Sequence, residues 1–387
     1  MRRAKSQRGF SLLELMVASA IGLVVIAAMA SLFKTGMNTT FTVTQRAETQ
    51  QNMRAAIELM TKDIGLAGGG LPSGGLQLTT AGLSKFACNQ SDYCYIPSDT
   101  YPNSAAGSPN YMYAIEPGFS TGVESSASIA EAPGQVNSSI TVVYCDYNFP
   151  LTNFTFTYPN STSADVGLVT SPNTALPTNI LASGGLNVGD VLLFSVSTPG
   201  NGKAGNANGS SLVQNAAVAA EITGIPNSTT IDFATGDALN LNQTSGSDNL
   251  AAVAAAAGGA TSQTSVCRLD IVSYFLEVPA AGGTVQTPRL MRQVNGLQAV
   301  PVADNIINLQ FTHDVINSTT GTVVANQQNP IGAGESPSLI QKVNIWIMGA
   351  SLASNGNKSQ SLYLATSVAT SDMSFCNSYS SSTTTCQ

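Results

Sequence analysis

The sequence is poor in the side chains that carry chemistry. Histidine and tryptophan occur once each in 387 residues, as His313 and Trp346, and only 10% of residues are charged. A single histidine excludes any metal site or acid–base pair that needs two histidines from one chain. His313 lies in the alternation Ile307, Leu309, Phe311, His313, Val315, which sets it on the apolar side of a strand with Asp314 pointing the other way. A structural role follows for it. There is no phosphate-binding loop and no nucleophile constellation, and Asp146, Asn148, Asp237 and Asp248 lack the spacing of a calcium loop. The chain reads as a non-enzyme that needs no cofactor and no metal.

Basic residues are scarce as well, 15 against 22 acidic ones, for a net charge of −7. Four of the fifteen, Arg2, Arg3, Lys5 and Arg8, sit at the extreme N-terminus; without them 11 basic residues face 22 acidic ones, a net of −11. Nucleic acid is bound through Lys and Arg that displace counterions from phosphate, so it is not an expected partner.

Proline is absent until Pro72, and from Phe10 to Phe33 Glu14 is the only formal charge. This apolar stretch amounts to about 36 Å of helix, enough to cross a bilayer. The basic residues before it outnumber Lys34 and Arg46 after it, which keeps the N-terminus cytoplasmic by the positive-inside rule. A carboxylate within hydrocarbon costs roughly 2.5–3.5 kcal/mol, so Glu14 calls for a partner unless it snorkels to the headgroups. Two ordinary readings compete. A secretory signal would be cut after Ala18-Ser19-Ala20 or Ala28-Met29-Ala30. A plain single-span anchor would need neither Glu14 nor the Gly9-Phe10 junction.

The third reading takes the residues together: a short basic leader, Gly9, then Phe10-Ser11-Leu12-Leu13-Glu14 and the apolar run. Over residues 8–33 this resembles the class III signal of type IV pilins and their relatives. The resemblance implies cleavage between Gly9 and Phe10 by a prepilin peptidase on the cytoplasmic face, and methylation of the new Phe10 amine. It also implies that residues 10–33 are kept as a transmembrane helix after loss of leader 1–9. Glycine at position 9 suits a protease site because an unbranched, flexible backbone can enter it extended. In that family the acid at the position of Glu14 pairs with the N-terminal amine of a neighbouring subunit, which would neutralise two charges that are costly alone.

Beyond Phe33 helix formers continue to Gly68-Gly69-Gly70. Met53, Ile57, Met60, Ile64 and Ala67 recur at spacings of four, three, four and three, one apolar stripe. Arg54, Glu58 and Lys62 form a solvated ladder on another face. Residues 34–69 are therefore read as the periplasmic, amphipathic half of the helix, ended by Gly65, the glycine triplet and Pro72. The block from Asn52 to Gly68 is similar to the segment behind the membrane helix in PilW-like minor pilins. Arg289-Leu290-Met291-Arg292, the strand from Asn305 to Val315 and Lys342 to Gly349 follow that family's order loosely. The likeness implies a pilus subunit at the inner membrane and then in a periplasm-spanning or extracellular filament. Its partners would be other major and minor pilins, the peptidase and the inner-membrane assembly platform. A comparable block occurs in a minor pseudopilin of type II secretion, and a secreted adhesin with an ordinary signal stands as the reading from another class.

The six cysteines, Cys88, Cys94, Cys145, Cys267, Cys376 and Cys386, all fall on the exported side, where disulfides form. Short loops would join Cys88 to Cys94 and Cys376 to Cys386, leaving Cys145 for Cys267 among the 15 possible pairings. Apolar runs at 140–144, 191–196, 269–276, 306–311, 343–348 and 362–368, bounded by Gly, Pro, Asn or Ser, read as strands. Residues 199–265 are rich in Gly, Ala, Asn and Ser and read as low-complexity loops or an inserted edge element. The expected fold is α+β, pilin-like: a long N-terminal transmembrane and amphipathic helix packed on a mostly antiparallel, β-rich domain over residues 70–387.

Overall fold

The computed structural model describes residues 10–71, 76–78, 110–118, 137–146, 148–149, 151, 154–160, 162–168, 180–181, 185–198, 214–243, 250–251, 253, 265–277, 288–328, 330, 335, 337–350, 361–370, 376–377 and 385–386. One helix, α1 (Leu12–Leu66), precedes β1 (Leu76–Leu78), β2 (Asn110–Met112), β3 (Ile115–Gly118), β4 (Ser139–Cys145), β5 (Phe154–Asn160) and β6 (Ser163–Leu168). Then come β7 (Val191–Thr198), β8 (Gln214–Glu221), β9 (Gly224–Asn227), β10 (Thr230–Asp232), β11 (Ser265–Glu277), β12 (Arg289–Val294) and β13 (Val300–Asp304). The chain ends with β14 (Ile306–Ile316), β15 (Val323–Gln327), β16 (Ile340–Ala350), β17 (Ser361–Ala369), β18 (Cys376–Asn377) and β19 (Thr385–Cys386). The runs read as strands from the sequence are β4, β7, β11, β14, β16 and β17. The stretch read as loops or an inserted edge element carries β8, β9 and β10, with β8 and β9 at sheet edges.

With no proline to remove a hydrogen bond, α1 runs unbroken from its apolar into its polar half. It stops where Gly68 takes a left-handed φ of 83°, a conformation open to glycine at no steric cost. Gly65 lies inside the helix and does not end it. The turn beyond is stitched to the sheet: the Gly68 N–H donates to the Val143 carbonyl at 2.9 Å, and the Cys145 N–H donates to the Gly69 carbonyl at 2.8 Å. These bonds extend the ladder of β4 past the point where β3 stops, since β3 pairs only with residues 139–142.

Packing of α1 begins at Thr49 and continues through Met53, Ala56, Met60, Asp63, Ile64 and Ala67. Ala56 rather than Ile57 faces the sheet; Ile57 packs at its border. Arg54, Glu58 and Lys62 are exposed, as a solvated face requires. Residues 34–48, read as part of the amphipathic half, are not buried against the domain, so only the last third of the helix is docked.

All strand pairs among the described residues are antiparallel. The central sheet runs β13-β12-β11-β4-β3; the first half of β11 also pairs β7, which pairs β8. A four-stranded sheet, β15-β14-β16-β17, flanks the helix, and β5-β6-β10-β9 forms another. Because β4 is buried on both faces, it needs no polar alternation: Ile140, Val142 and Tyr144 join the core under α1, while Val143 and Cys145 join a second cluster behind the sheet. A third core, with Phe194 edge-on to Phe156, Tyr158 and Phe233, is built wholly from residues between Cys145 and Cys267. Those two cysteines are disulfide-bonded with Cα atoms 5.7 Å apart, closing the base of this inserted lobe.

Helix and sheet meet at two special contacts. Gly349 on β16 leaves room for Thr49 and Met53; a Cβ there would stand 2.7 Å from the Thr49 methyl and 2.8 Å from the Met53 sulfur. Asp63, 3% exposed, accepts from the Tyr144 hydroxyl at 3.2 Å, the Tyr274 hydroxyl at 2.5 Å and Arg292 Nε at 2.8 Å. Burial and the adjoining Asp63 charge raise both tyrosine pKa values. Burial pulls that of Arg292 down, but the hydrogen bond and attraction to Asp63 outweigh it and raise it.

Two predictions follow from this packing. Asp63→Ala strands a half-buried guanidinium and two hydroxyls, so it destabilises the chain by about 3–5 kcal/mol, whereas Asp63→Ala combined with Arg292→Met costs less than Asp63→Ala alone. Denaturation of the full chain in detergent gives the cycle, and strict additivity would contradict the pairing. The second concerns His313, fully buried, whose Nδ1 is 3.1 Å from the Gln327 carbonyl and therefore carries the proton. Burial lowers its pKa from 6.5 to about 4. A base with a depressed folded pKa contributes stability above 6.5 that is lost as pH falls toward 4, here roughly 3 kcal/mol. Burial raises the pKa values of Glu221 and Asp270, which act in the opposite sense, so the readout is the difference from His313→Gln. That variant loses less stability than the parent between pH 7 and pH 4; parallel curves would refute the assignment.

Candidate functional site

The tip of α1 is built by its first five described residues. Phe10 precedes the helix and is 86% exposed. Ser11 is the N-cap, extended at φ −72° and ψ 143°, and its hydroxyl accepts from the Leu13 N–H at 3.3 Å. Glu14, three residues on, accepts from the Ser11 N–H through Oε2 at 3.1 Å. Together these bonds form a capping box, which satisfies two backbone donors that a helix start leaves open. The Ser-x-x-Glu spacing signals this box in the sequence. Glu14 therefore has a local role at the helix start beside the assembly role that the resemblance implies.

The capping box gives Glu14 a partner within its own chain, yet a carboxylate has about four acceptor positions, so one backbone N–H does not saturate it. A carboxylate in the first turn is also favoured by the positive end of the helix dipole. The next helical turn brings no further charge. From Leu12 through Glu48 the helix is exposed or half-exposed throughout, including Leu23, Ile26, Leu32, Phe33, Met37 and Phe41. The helix is long and apolar enough to cross a membrane, and none of its apolar window is buried inside the chain. Across Met29 to Thr44, Phe33, Gly36, Met37 and Phe41 line a shallow hollow on one side of it.

Gly9 lies outside the described residues, as do Cys88 and Cys94. Phe10 and Glu14 are brought within one helical turn. Cys145 and Cys267 lie far from them, at the neck of the inserted lobe. Cys376 and Cys386 occupy directly opposed backbone positions in the β18–β19 pair. Asp146, considered as a calcium ligand, is engaged otherwise: it forms an ion pair with Arg268 at 2.5 Å and accepts from the Asn148 N–H at 3.0 Å. Arg268 also lies 4.0 Å from the centre of the Phe149 ring. Asp237 accepts from the backbone N–H groups of Leu241 and Asn242. No group of three or more His, Cys, Asp or Glu side chains suited to a metal occurs among the described residues.

The residue group that sequence reasoning missed is the Asp63 cluster. Its acid stood in the helical block and its arginine in a later strand, but nothing in the spacing joins positions 63 and 292.

Residues 4–30 match the family described as the prokaryotic N-terminal methylation motif. No curated protein and no solved structure matches the chain. The motif, carried on a projecting apolar helix that begins at a capping box, supports a subunit of the type IV pilin or pseudopilin kind that associates with a membrane.

Proposed function

We propose that the chain is a minor pilin, of the kind resembling PilW, which inserts in the inner membrane and then packs by α1 among other pilins to initiate or decorate a type IV pilus. The observation that carries this reading is the uncovered length of α1: its apolar part, tipped by one carboxylate, is buried by none of the described residues of its own chain. Prepilin peptidase would cut between Gly9 and Phe10 and the new Phe10 amine would be methylated. That ammonium, on a neighbouring subunit, is a suitable counter-ion for Glu14, and the pairing of the two would fix the axial register between helices. The work of the protein is then mechanical and associative. Pilin partners cover the helix, the inner-membrane assembly platform extracts it, and the β-rich part faces solvent.

The motif is equally compatible with a minor pseudopilin of type II secretion, and the two separate by phenotype. Deletion that abolishes twitching with secretion intact supports the pilin, and the reverse pattern supports the pseudopilin. A secreted module with an ordinary signal is separated by the mature N-terminus.

Mass spectrometry of the filament-associated protein is expected to show a chain that starts at Phe10 and carries one extra methyl group. A start at Ile21 or Ser31 would overturn the proposal. Glu14→Ala is expected to leave processing intact and to lower incorporation into filaments at least about tenfold, if the lost charge pair is worth 1.4 kcal/mol or more. The same variant with normal incorporation would remove Glu14 from the assembly role.

A further inference from the structure

The outer face of the sheet β15-β14-β16-β17 carries a feature that helix-mediated assembly does not use. On β16 the side chains alternate: Ile345 and Ile347 are buried under α1, while Trp346 between them is 49% exposed. On β17 Tyr363 is 70% exposed, flanked by half-buried Leu362 and Leu364. Among the described residues beyond α1, these two are the only large aromatic side chains left in solvent. They share one face, because Trp346 pairs with Ala365 and Met348 with Tyr363. Tyr363 is thus the diagonal neighbour of Trp346, with Cα atoms roughly 7–8 Å apart in such a pair. Ala365, directly opposite the indole, is too small to cover it.

Among the described residues, the surroundings are polar and the charges are paired. Next to Trp346 along β16, the Asn344 amide donates to Thr312 Oγ1 at 3.3 Å, Asp314 Oδ1 at 3.0 Å and Asn326 Oδ1 at 3.2 Å. The Asp314 charge is met by Lys342 at 2.6 Å. A regular, bulge-free pairing of all nine residues of β17 with β16 keeps the alternation of faces unbroken across the platform. An anionic partner such as nucleic acid or an acidic lipid surface finds no net positive charge among the described residues of this face. A hydrophobic protein patch would meet hydroxyl and amide groups already organised in a network. Aromatic faces beside fixed amides and hydroxyls, with charge cancelled, suit a neutral sugar chain, whose C–H faces stack on rings and whose hydroxyls bond to amides and other hydroxyls.

We propose that Trp346 and Tyr363 form the platform of a binding site for a neutral glycan. The site lies on the sheet face opposite to the one that packs α1, so occupancy leaves the helix free for assembly. Binding is shallow and stacking-led, and it depends on both rings.

Trp346 is the only tryptophan, so its emission reports on this face alone. The full chain in detergent micelles is titrated with cellohexaose, chitohexaose and a galactan oligosaccharide, with heparin as the anionic control, up to about 10 mM, where binding of Kd near 1 mM saturates. The expected result is a saturable shift of emission with at least one neutral oligosaccharide and none with heparin. Retention on the corresponding immobilised polysaccharide falls about tenfold in Tyr363→Ala and Trp346→Ala and is partly kept in Trp346→Phe, with thermal midpoints unchanged. Three results would overturn the site: no emission change with any neutral oligosaccharide, a response to heparin alone, or full retention in both alanine variants. Normal glycan retention in a Glu14→Ala chain that no longer assembles would leave this site standing while the filament role fell.

Discussion

One carboxylate holds the architecture together. Asp63 sits on the docked third of α1 and gathers groups from three strands, Tyr144 of β4, Tyr274 of β11 and Arg292 of β12. An apolar seam of Met53, Ala56, Met60, Ile64 and Ala67 supplies most of the favourable burial, at about 1.5–3 kcal/mol for each large side chain. Such a seam is tolerant of small slips along or around the helix axis. The Asp63 cluster is not, because a displacement of a few ångströms would leave a buried charge and two hydroxyls unpaired. Gly349 acts in the same sense from the sheet side by admitting Thr49 and Met53 at one position only. Angle and height of the projecting helix are therefore set by a polar knot inside an apolar contact.

That arrangement divides the molecule. The core beneath α1 draws on β4, β11, β12, β14 and β16, elements from both ends of the chain. The core around Phe194 is local to the insertion between Cys145 and Cys267. The first couples the helix to the sheet; the second is joined to that sheet by the β7–β11 ladder and by the disulfide at its neck. The exposed Trp346 and Tyr363 belong to neither, lying on the far side of the sheet that the helix covers.

How much of this was legible follows from the range of each interaction. Helix α1, its stripe and its glycine stop were readable because helical periodicity and capping act within a few residues. Strands such as β4, β14 and β16 announced themselves by apolar runs. Burial of His313 was readable too, since alternation assigns a face. The error at Ile57 and Ala56 is small: both border the same stripe, and the sheet decides which is covered. What was hidden is long-range. Asp63 and Arg292 are far apart in sequence, and β8 to β10 lie in a stretch whose Gly, Asn and Ser content resembles loops. The Ser11 to Glu14 box is local, and the Ser-x-x-Glu spacing signals it.

The disulfide at the neck of the insertion bears on extensibility. The two sulfurs span a sequence separation of 122, and a segment of that length drawn straight would measure roughly 400 Å. With the ends of the segment joined, tension applied between α1 and the final strands bypasses it, so the contour available to a stretched chain stays short even if that lobe melts. Under oxidising conditions the lobe is a pendant and no part of the tether.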